Sequence, residues 1–267
     1  MNNVKHKNYY NNINKKEKLR REKTMEKKMK NKKVKAEVYF DENTQVHIVD
    51  GNTKVGKGIY CINLLSGDEP LRKKNGQLLI NISGTCGGCC DVCKNDCYAI
   101  RQQIFRSTEE NLISWGENTI LAKEYIDLFF KQIQDKINRS LMAYIRFHAF
   151  GEIPSYEYLE KMVKLAEDNP KITFYTYSKR YEWIEKIIKE KTLPENLIIN
   201  ISIWHKNYNN PYNLPEFIYD DQTEEYLKDI FHCPAVDKEG HDTGVTCASC
   251  KRCFTVKKGY KTAVYAH

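Results

Sequence analysis

Between residues 141 and 204 the chain alternates without a break between apolar, strand-like runs and amphipathic, helix-like ones. "LMAYIRFHAF" (141–150), "KITFYTYS" (171–178) and "NLIINISIW" (196–204) are rich in aromatic and β-branched residues. Between them lie "PSYEYLEKMVKLAED" (154–168), with Pro154 expected in the first turn, and "RYEWIEKIIKE" (180–190). Both repeat apolar residues at helical spacing. A helix between two strands returns the chain to the same end of the sheet, so this order predicts parallel pairing and an α/β core. The nearly continuous apolar character of the strands predicts a sheet covered on both faces.

The flanks are less regular. "VKAEVYF" (34–40), "TQVHIVD" (44–50), "KGIYCINLL" (57–65) and "QLLINIS" (77–83) read as short strands, and "NTILAKEYIDLFFKQIQDKI" (118–137) as one long amphipathic helix. After residue 204 come a helix near "TEEYLKDI" (223–230), a cysteine-rich segment at 231–254 and a terminal strand "YKTAVYAH" (260–267). The formal charge of +8 is concentrated at one end: residues 1–36 hold 14 Lys/Arg against Glu17, Glu22 and Glu26, which leaves about −3 for residues 37–267. The expected organisation is a basic tail over 1–36, without apolar periodicity, and one α/β metal-binding domain over 37–267. Such a tail can contact nucleic acid weakly through counterion release; the alternative is a solvated extension. The N-terminus lacks the apolar stretch of a secretory signal and no run reaches the roughly 18 apolar residues of a membrane span. The expected location is the cytoplasm, where a dense set of cysteines serves metal binding or catalysis more than disulfides.

Cysteine is the residue that carries chemistry here. Five of the ten lie in "CGGCCDVCKNDC" (86–97): Cys86, Cys89, Cys90, Cys93 and Cys97. Gly87 and Gly88 allow this backbone to wrap tightly. Cys86, Cys90 and Cys93 have the C-x-x-x-C-x-x-C spacing of radical S-adenosylmethionine enzymes, in which three thiolates hold a [4Fe–4S] cluster and leave one iron open. Cys86, Cys93 and Cys97 form the competing triple. A second group, Cys233, Cys247, Cys250 and Cys253, offers four thiolates to a zinc ion or to a [4Fe–4S] cluster. One distant cysteine with a C-x-x-C-x-x-C run is commoner among iron–sulfur sites than the paired knuckles of zinc. Both readings stay open, with one or two clusters. Cys61, in an apolar strand, reads as a small buried hydrophobe.

The run "TCGGCCDVCKNDCYA", followed by "RFHAFGE", "ITFYTYSKR" and "CP…C-x-x-C-x-x-C-F", resembles the bacteriophage gene product 88 family over residues 55–265. That family is similar in motif order to proteins related to radical S-adenosylmethionine enzymes. The resemblance implies a cluster and a fold but no substrate. In the radical-enzyme pattern a G-G-E-type motif after the second strand grips the cofactor's amino group, and "HAFGEIP" places Gly151 and Glu152 there. Ser178 and Ser202, with Lys179, stand at later strand ends and are candidates for a ribose or carboxylate contact. The same residues can equally be caps. His148 and His205, also near strand ends, read more simply as structural. The expected architecture is an incomplete (β/α) barrel-like parallel sheet with short N-terminal strands and an irregular cysteine-rich C-terminal segment. Every one of these groups follows a strand, and parallel α/β folds place their sites at the carboxyl ends of strands.

Three functions of different class follow. One is an iron–sulfur enzyme of radical S-adenosylmethionine type. Another is a zinc-stabilised nucleic-acid-binding protein, and the third an iron–sulfur protein with a structural or redox-sensing role. The tail makes a separate prediction: deleting residues 1–33 should move the melting temperature by less than about 2 °C, because no periodic apolar segment is lost. Calorimetry of the two forms checks this; a large drop would show that the tail packs on the domain.

Overall fold

The computed structural model describes residues 36–265, apart from Cys90, 205–208, 221–222, Glu224 and 256–257. The basic tail therefore lies outside the described residues, save Ala36. In chain order the elements begin with β1 (Val49–Asp50), β2 (Ile59–Ile62), β3 (Pro70–Arg72) and β4 (Leu78–Ser83). Four helices follow: α1 (Asp91–Asn95), α2 (Tyr98–Phe105), α3 (Glu109–Glu124) and α4 (Ile126–Asn138). The alternating run is β5 (Tyr144–Phe147), α5 (Tyr156–Asp168), β6 (Thr173–Ser178), α6 (Tyr181–Glu190) and β7 (Leu197–Ile203). Then come β8 (Glu216–Asp220), a 3-10 turn (Glu225–Asp229), α7 (Cys247–Cys250), α8 (Arg252–Thr255) and β9 (Lys261–Tyr265).

The expected α/β class and parallel pairing hold. A seven-stranded sheet runs in the order β1-β2-β5-β6-β7-β8-β9, and every neighbouring pair is parallel except β1 with β2. Apart from the separate β3–β4 hairpin, strand order follows chain order. Crossovers of one hand in one direction put α4, α5 and α6 on one face. Ile145, Phe147, Phe174, Ile199 and Ile201 point to that face and pack with Phe129, Phe130 and Ile133 of α4, Leu159 and Met162 of α5, and Ile184 and Ile187 of α6. Side chains of period two on the same strands point the other way. There Cys61, Tyr175 and Ile198 meet Val55 and Phe254. Phe254 of α8, with Cys247 and Ala248 of α7, thus covers part of the sheet face that α4, α5 and α6 leave open.

Several local expectations change. Among the described residues of "VKAEVYF" (36–40), only Ala36 makes a bridge, to Ile80. Of "TQVHIVD", only Val49 and Asp50 pair, against Cys61 and Tyr60. Side-chain amides replace the missing ladder. Asn81 accepts from the N–H of Val38 at 2.8 Å and donates to its carbonyl at 2.9 Å. Gln132 accepts from the N–H of Val46, and Asn118 from that of His47. The expected helix over 118–137 is two helices, separated at Tyr125 (φ −132, ψ 50). The break lets α3 bury Leu112 and Trp115 against the β3–β4 hairpin while α4 faces the sheet. Pro154 precedes α5, whose cap is Ser155, its Oγ accepting from the N–H of Tyr158. The helix near 223–230 is a single 3-10 turn.

Asn118 is fully buried; besides accepting from His47 it donates to the carbonyls of His47 and Asn63. One amide thereby ties the irregular N-terminal segment to the end of β2. Asn118→Ala should destabilise the fold by about 2–3 kcal/mol, since three buried backbone groups lose their partner. Denaturant unfolding reads this directly, and an unchanged midpoint would show that those backbone groups find other partners.

Candidate metal centre

The first cysteine loop follows β4, which is not a strand of the parallel sheet. Backbone bonds bring the loop to the carboxyl end of β2 instead: Thr85 N–H donates to Leu65 O and Cys86 N–H to Gly67 O, both at 2.9 Å. The approach is so close that a Cβ on Gly84 would lie 2.5 Å from the carbonyl of Leu65. Arg180, at the end of β6, then clamps the loop by donating to the carbonyls of Thr85 (2.8 Å), Ile153 (3.0 Å) and Gly87. Within the loop, Cys93 is buried on α1, while Cys97 caps α2, its Sγ accepting from the N–H of Ile100. Cys90 lies outside the described residues.

Both cysteine groups open onto one cavity of about 340 Å³. Its walls include Cys86, Cys89, Cys93 and Cys97 on one side and Cys233, Cys247, Cys250 and Cys253 on the other. Gly151, Glu152 and Ser202 also line it, and Ser178 does not. Ser178 acts one step behind: its Oγ donates to Glu152 Oε1 at 2.8 Å. Glu152 Oε1 also accepts from Ile153 N–H, and Oε2 accepts from Lys179 N–H, so one acceptor position of Oε2 is left toward the cavity. Gly151 has φ +86, and a Cβ there would sit 2.7 Å from Leu64 Cβ and 2.9 Å from Thr85 Oγ1. Its N–H donates to Ser66 Oγ and the next one to Thr85 Oγ1. The glycine is therefore required first by the approach of the β2 end. Ser202 Oγ accepts from Trp204 Nε1. His148 is buried, its ring nitrogens facing Tyr158 and Thr176, and burial pulls its pKa down to about 3. It is a neutral core group, as expected; His205 lies outside the described residues.

Electrostatics mark the cavity more sharply than any motif. Six cations line it (Lys54, Arg146, Lys179, Arg180, Lys251 and Arg252) against two carboxylates, Asp96 and Glu152. Among the described residues none of the six pairs with a carboxylate. Aromatic rings hold most of them without neutralising them. Arg146 lies over Tyr177, Lys179 over Trp204, Lys54 over Tyr98, and Arg252 over Phe231 and Tyr260. Burial pushes Cys86 and Cys253 each up to about 12, so a metal cation that binds either as a thiolate must displace its proton.

The residues fit such a group. Four buried side-chain polar atoms lack any partner among the described residues, and three of them are donors around the second cysteine group: Arg146 Nε, Tyr175 Oη and Arg252 Nε. Arg146 and Tyr175 are in electrostatic reach of Cys61 and Cys247, and Arg252 of Cys250 and Cys253. Unpaired donors and unpaired cations around thiols suit a metal–thiolate centre of net negative charge. Among the described residues no three thiols lie within 4.8 Å of one another; the group of donor atoms that tight is Asp237, Glu239 and His241, in a largely exposed turn. There Asp237 Oδ1 is already engaged with the N–H groups of Glu239 and His241.

The motifs missed Arg146, Arg180 and Lys54. A signal for Arg146 existed: it is the one charge inside the apolar strand "YIRF" (144–147). Fold and site together define a mixed α/β protein with a thiol-lined, cation-rich cavity at the strand ends. The family model described as gene product 88 matches residues 51–263, and the chain belongs to that family. The match spans both cysteine groups. No curated protein and no solved structure matches the chain significantly. Among the described residues no helix is long and apolar enough to cross a membrane.

Gly151→Ala should cost about 2 kcal/mol or more, from positive φ and the contact with Leu64 together. The metal-free protein suffices for this melt. Wild-type stability in the variant would mean that the β2 end can withdraw from residue 151.

Proposed function

We propose that this protein is an iron–sulfur protein of phage or mobile-element type, with radical S-adenosylmethionine-like activity centred on the loop 86–97. The observation that carries the reading is the shared cavity: Cys86, Cys89, Cys93 and Cys97 of the five-cysteine loop, with Gly151, Glu152 and Ser202, meet at the carboxyl ends of parallel strands. The chain-order sheet with helices on one face supports an incomplete (β/α) barrel whose mouth is that cavity. When bound by three thiolates, a [4Fe–4S] cluster keeps an iron open for S-adenosylmethionine and supplies the electron for its reductive cleavage.

The chain's own residues prepare that site. Arg180 and Thr85 fix the loop, and Cys93 is common to both candidate triples. Glu152, held by Ser178 and Lys179, keeps one acceptor for the ammonium of the cofactor. Ser202 is placed for a second polar contact. Lys179 stands near Cys86 and Trp204 with no carboxylate partner among the described residues, suited to the cofactor's carboxylate. Iron–sulfur is favoured over zinc by thiol spacing. A single zinc ion with Zn–S bonds of about 2.3 Å draws its thiolates to about 3.8 Å of one another. A cuboidal core spreads its ligands wider, in keeping with described thiols of which no three lie within 4.8 Å of one another.

Anaerobic reconstitution tests this. The protein should take up iron and sulfide, and Cys93→Ala and Cys250→Ala should each remove roughly half of the iron, one cluster apiece. Cys90→Ala separates the two triples of the first loop. Reduced wild-type protein should release 5′-deoxyadenosine from S-adenosylmethionine slowly even without substrate, and Cys93→Ala should not. A fully loaded protein that yields none, with a spectrum unmoved by the cofactor, would end the radical reading in favour of a structural or sensing role. Zinc without iron would favour the nucleic-acid-binding alternative.

A further inference from the structure

The C-terminal cysteines are held by more than a structural staple needs. A closed metal site that only ties a loop to a sheet is served by an apolar surround, because a buried unpaired cation costs several kcal/mol. Here the opposite is built. Arg146 projects from the middle of β5 toward the cysteine segment, stacked at 4.8 Å on Tyr177 and 5.9 Å from the ring of Tyr175. Its Nε–H and the Tyr175 hydroxyl have no acceptor among the described residues, and neither has the Nε–H of Arg252. Three orphaned donors, two of them on permanent cations, surround Cys247, Cys250 and Cys253. The fourth orphan in the described chain is an acceptor, Asn63 Oδ1.

What would satisfy these groups together is a sulfur-rich anion. Sulfides and thiolates of a cluster accept hydrogen bonds, and a positive surround favours the more negative state, so both features raise the reduction potential. We propose that Cys233, Cys247, Cys250 and Cys253 hold a redox-active cluster, with Arg146, Tyr175 and Arg252 setting its potential: an external one-electron donor, a reduced flavin or iron–sulfur protein, reduces it by one electron, and an oxidised carrier of the same class takes that electron back. This rests on the iron–sulfur reading above and goes beyond it by giving the second centre a task other than stapling. These three are positioning and tuning residues, because they act through the cluster and need touch no substrate.

The test uses the full chain carrying Cys93→Ala, so that only the C-terminal centre is loaded, titrated with a chemical reductant under anaerobic conditions. Tyr175→Phe removes one hydroxyl and keeps the ring. In metal-free protein it should leave stability unchanged or raised, since that hydroxyl has no partner there. In loaded protein it should make the cluster harder to reduce by about tenfold, a fall of about 59 mV for one electron. Arg146→Met should lower the potential at least as much, and Arg146→Lys should retain most of it. Iron present with a potential unmoved by both Tyr175→Phe and Arg146→Met overturns this proposal alone and leaves a structural cluster. Zinc in place of iron overturns it together with the iron–sulfur reading. If Arg146→Met does not fold, Tyr175→Phe decides the matter by itself.

Discussion

The site depends on Glu152, through which three strand ends are joined. Its N–H donates to Thr85 Oγ1, at the entrance to the cysteine loop, and its carboxylate accepts from Ser178 and Lys179 at the end of β6. Among its described residues the cysteine loop has only the five-residue α1 as regular structure before Cys97, so it does not hold its own shape. Thr85, Glu152 and Arg180 give it one. The carboxylate is buried, with 8% of its residue surface exposed, and four polar groups share it or its backbone. Taking away one partner of such a network strands the others in a low-dielectric interior, which is why it behaves as a unit.

Around that knot the charges are arranged for an anion. Cation–π contacts hold long cationic side chains in place without a counter-ion, so the positive field stays available to whatever enters. The arrangement also explains the aromatic residues at this end of the sheet. Trp204 stacks on Tyr219 at 4.2 Å while Lys179 lies over the same indole, and Tyr175 and Tyr177 carry Arg146. In a linear reading these tyrosines look scattered. In the fold they stand on one face of the sheet, on β6 and on β8 beyond β7, as the period of two requires.

Much of the core was legible because its signals are local. The strands at 144–147, 173–178 and 197–203 and the helices between them carry their period in their own residues. The N-terminal strands were over-read for a physical reason. Residues 38–47 have the composition of a strand, yet their backbone groups are satisfied by Asn81, Asn118 and Gln132, which lie 43 to 86 positions away. Nothing within a short window distinguishes a backbone that pairs with a strand from one that pairs with distant amides. The long helical period hides a break for a related reason: Tyr125 interrupts it because the two halves bury against different partners. The site was legible in its cysteines and in Gly151 and Glu152, whose residue types announce their chemistry. The roles of Ser178, which supports Glu152, and of Arg180, which grips carbonyls, were not.

By itself the sequence determined the parallel α/β core, the two cysteine groups and the concentration of basic charge in residues 1–36, since periodicity, residue type and charge are properties of neighbours along the chain. Only the tertiary structure decided that the two cysteine groups, separated by 136 positions between Cys97 and Cys233, face one cavity. It alone decided that Arg146 points into that cavity with no anion beside it among the described residues. Whether a charge is paired depends on what the fold brings within a few ångströms of it, and no spacing in the chain encodes that distance.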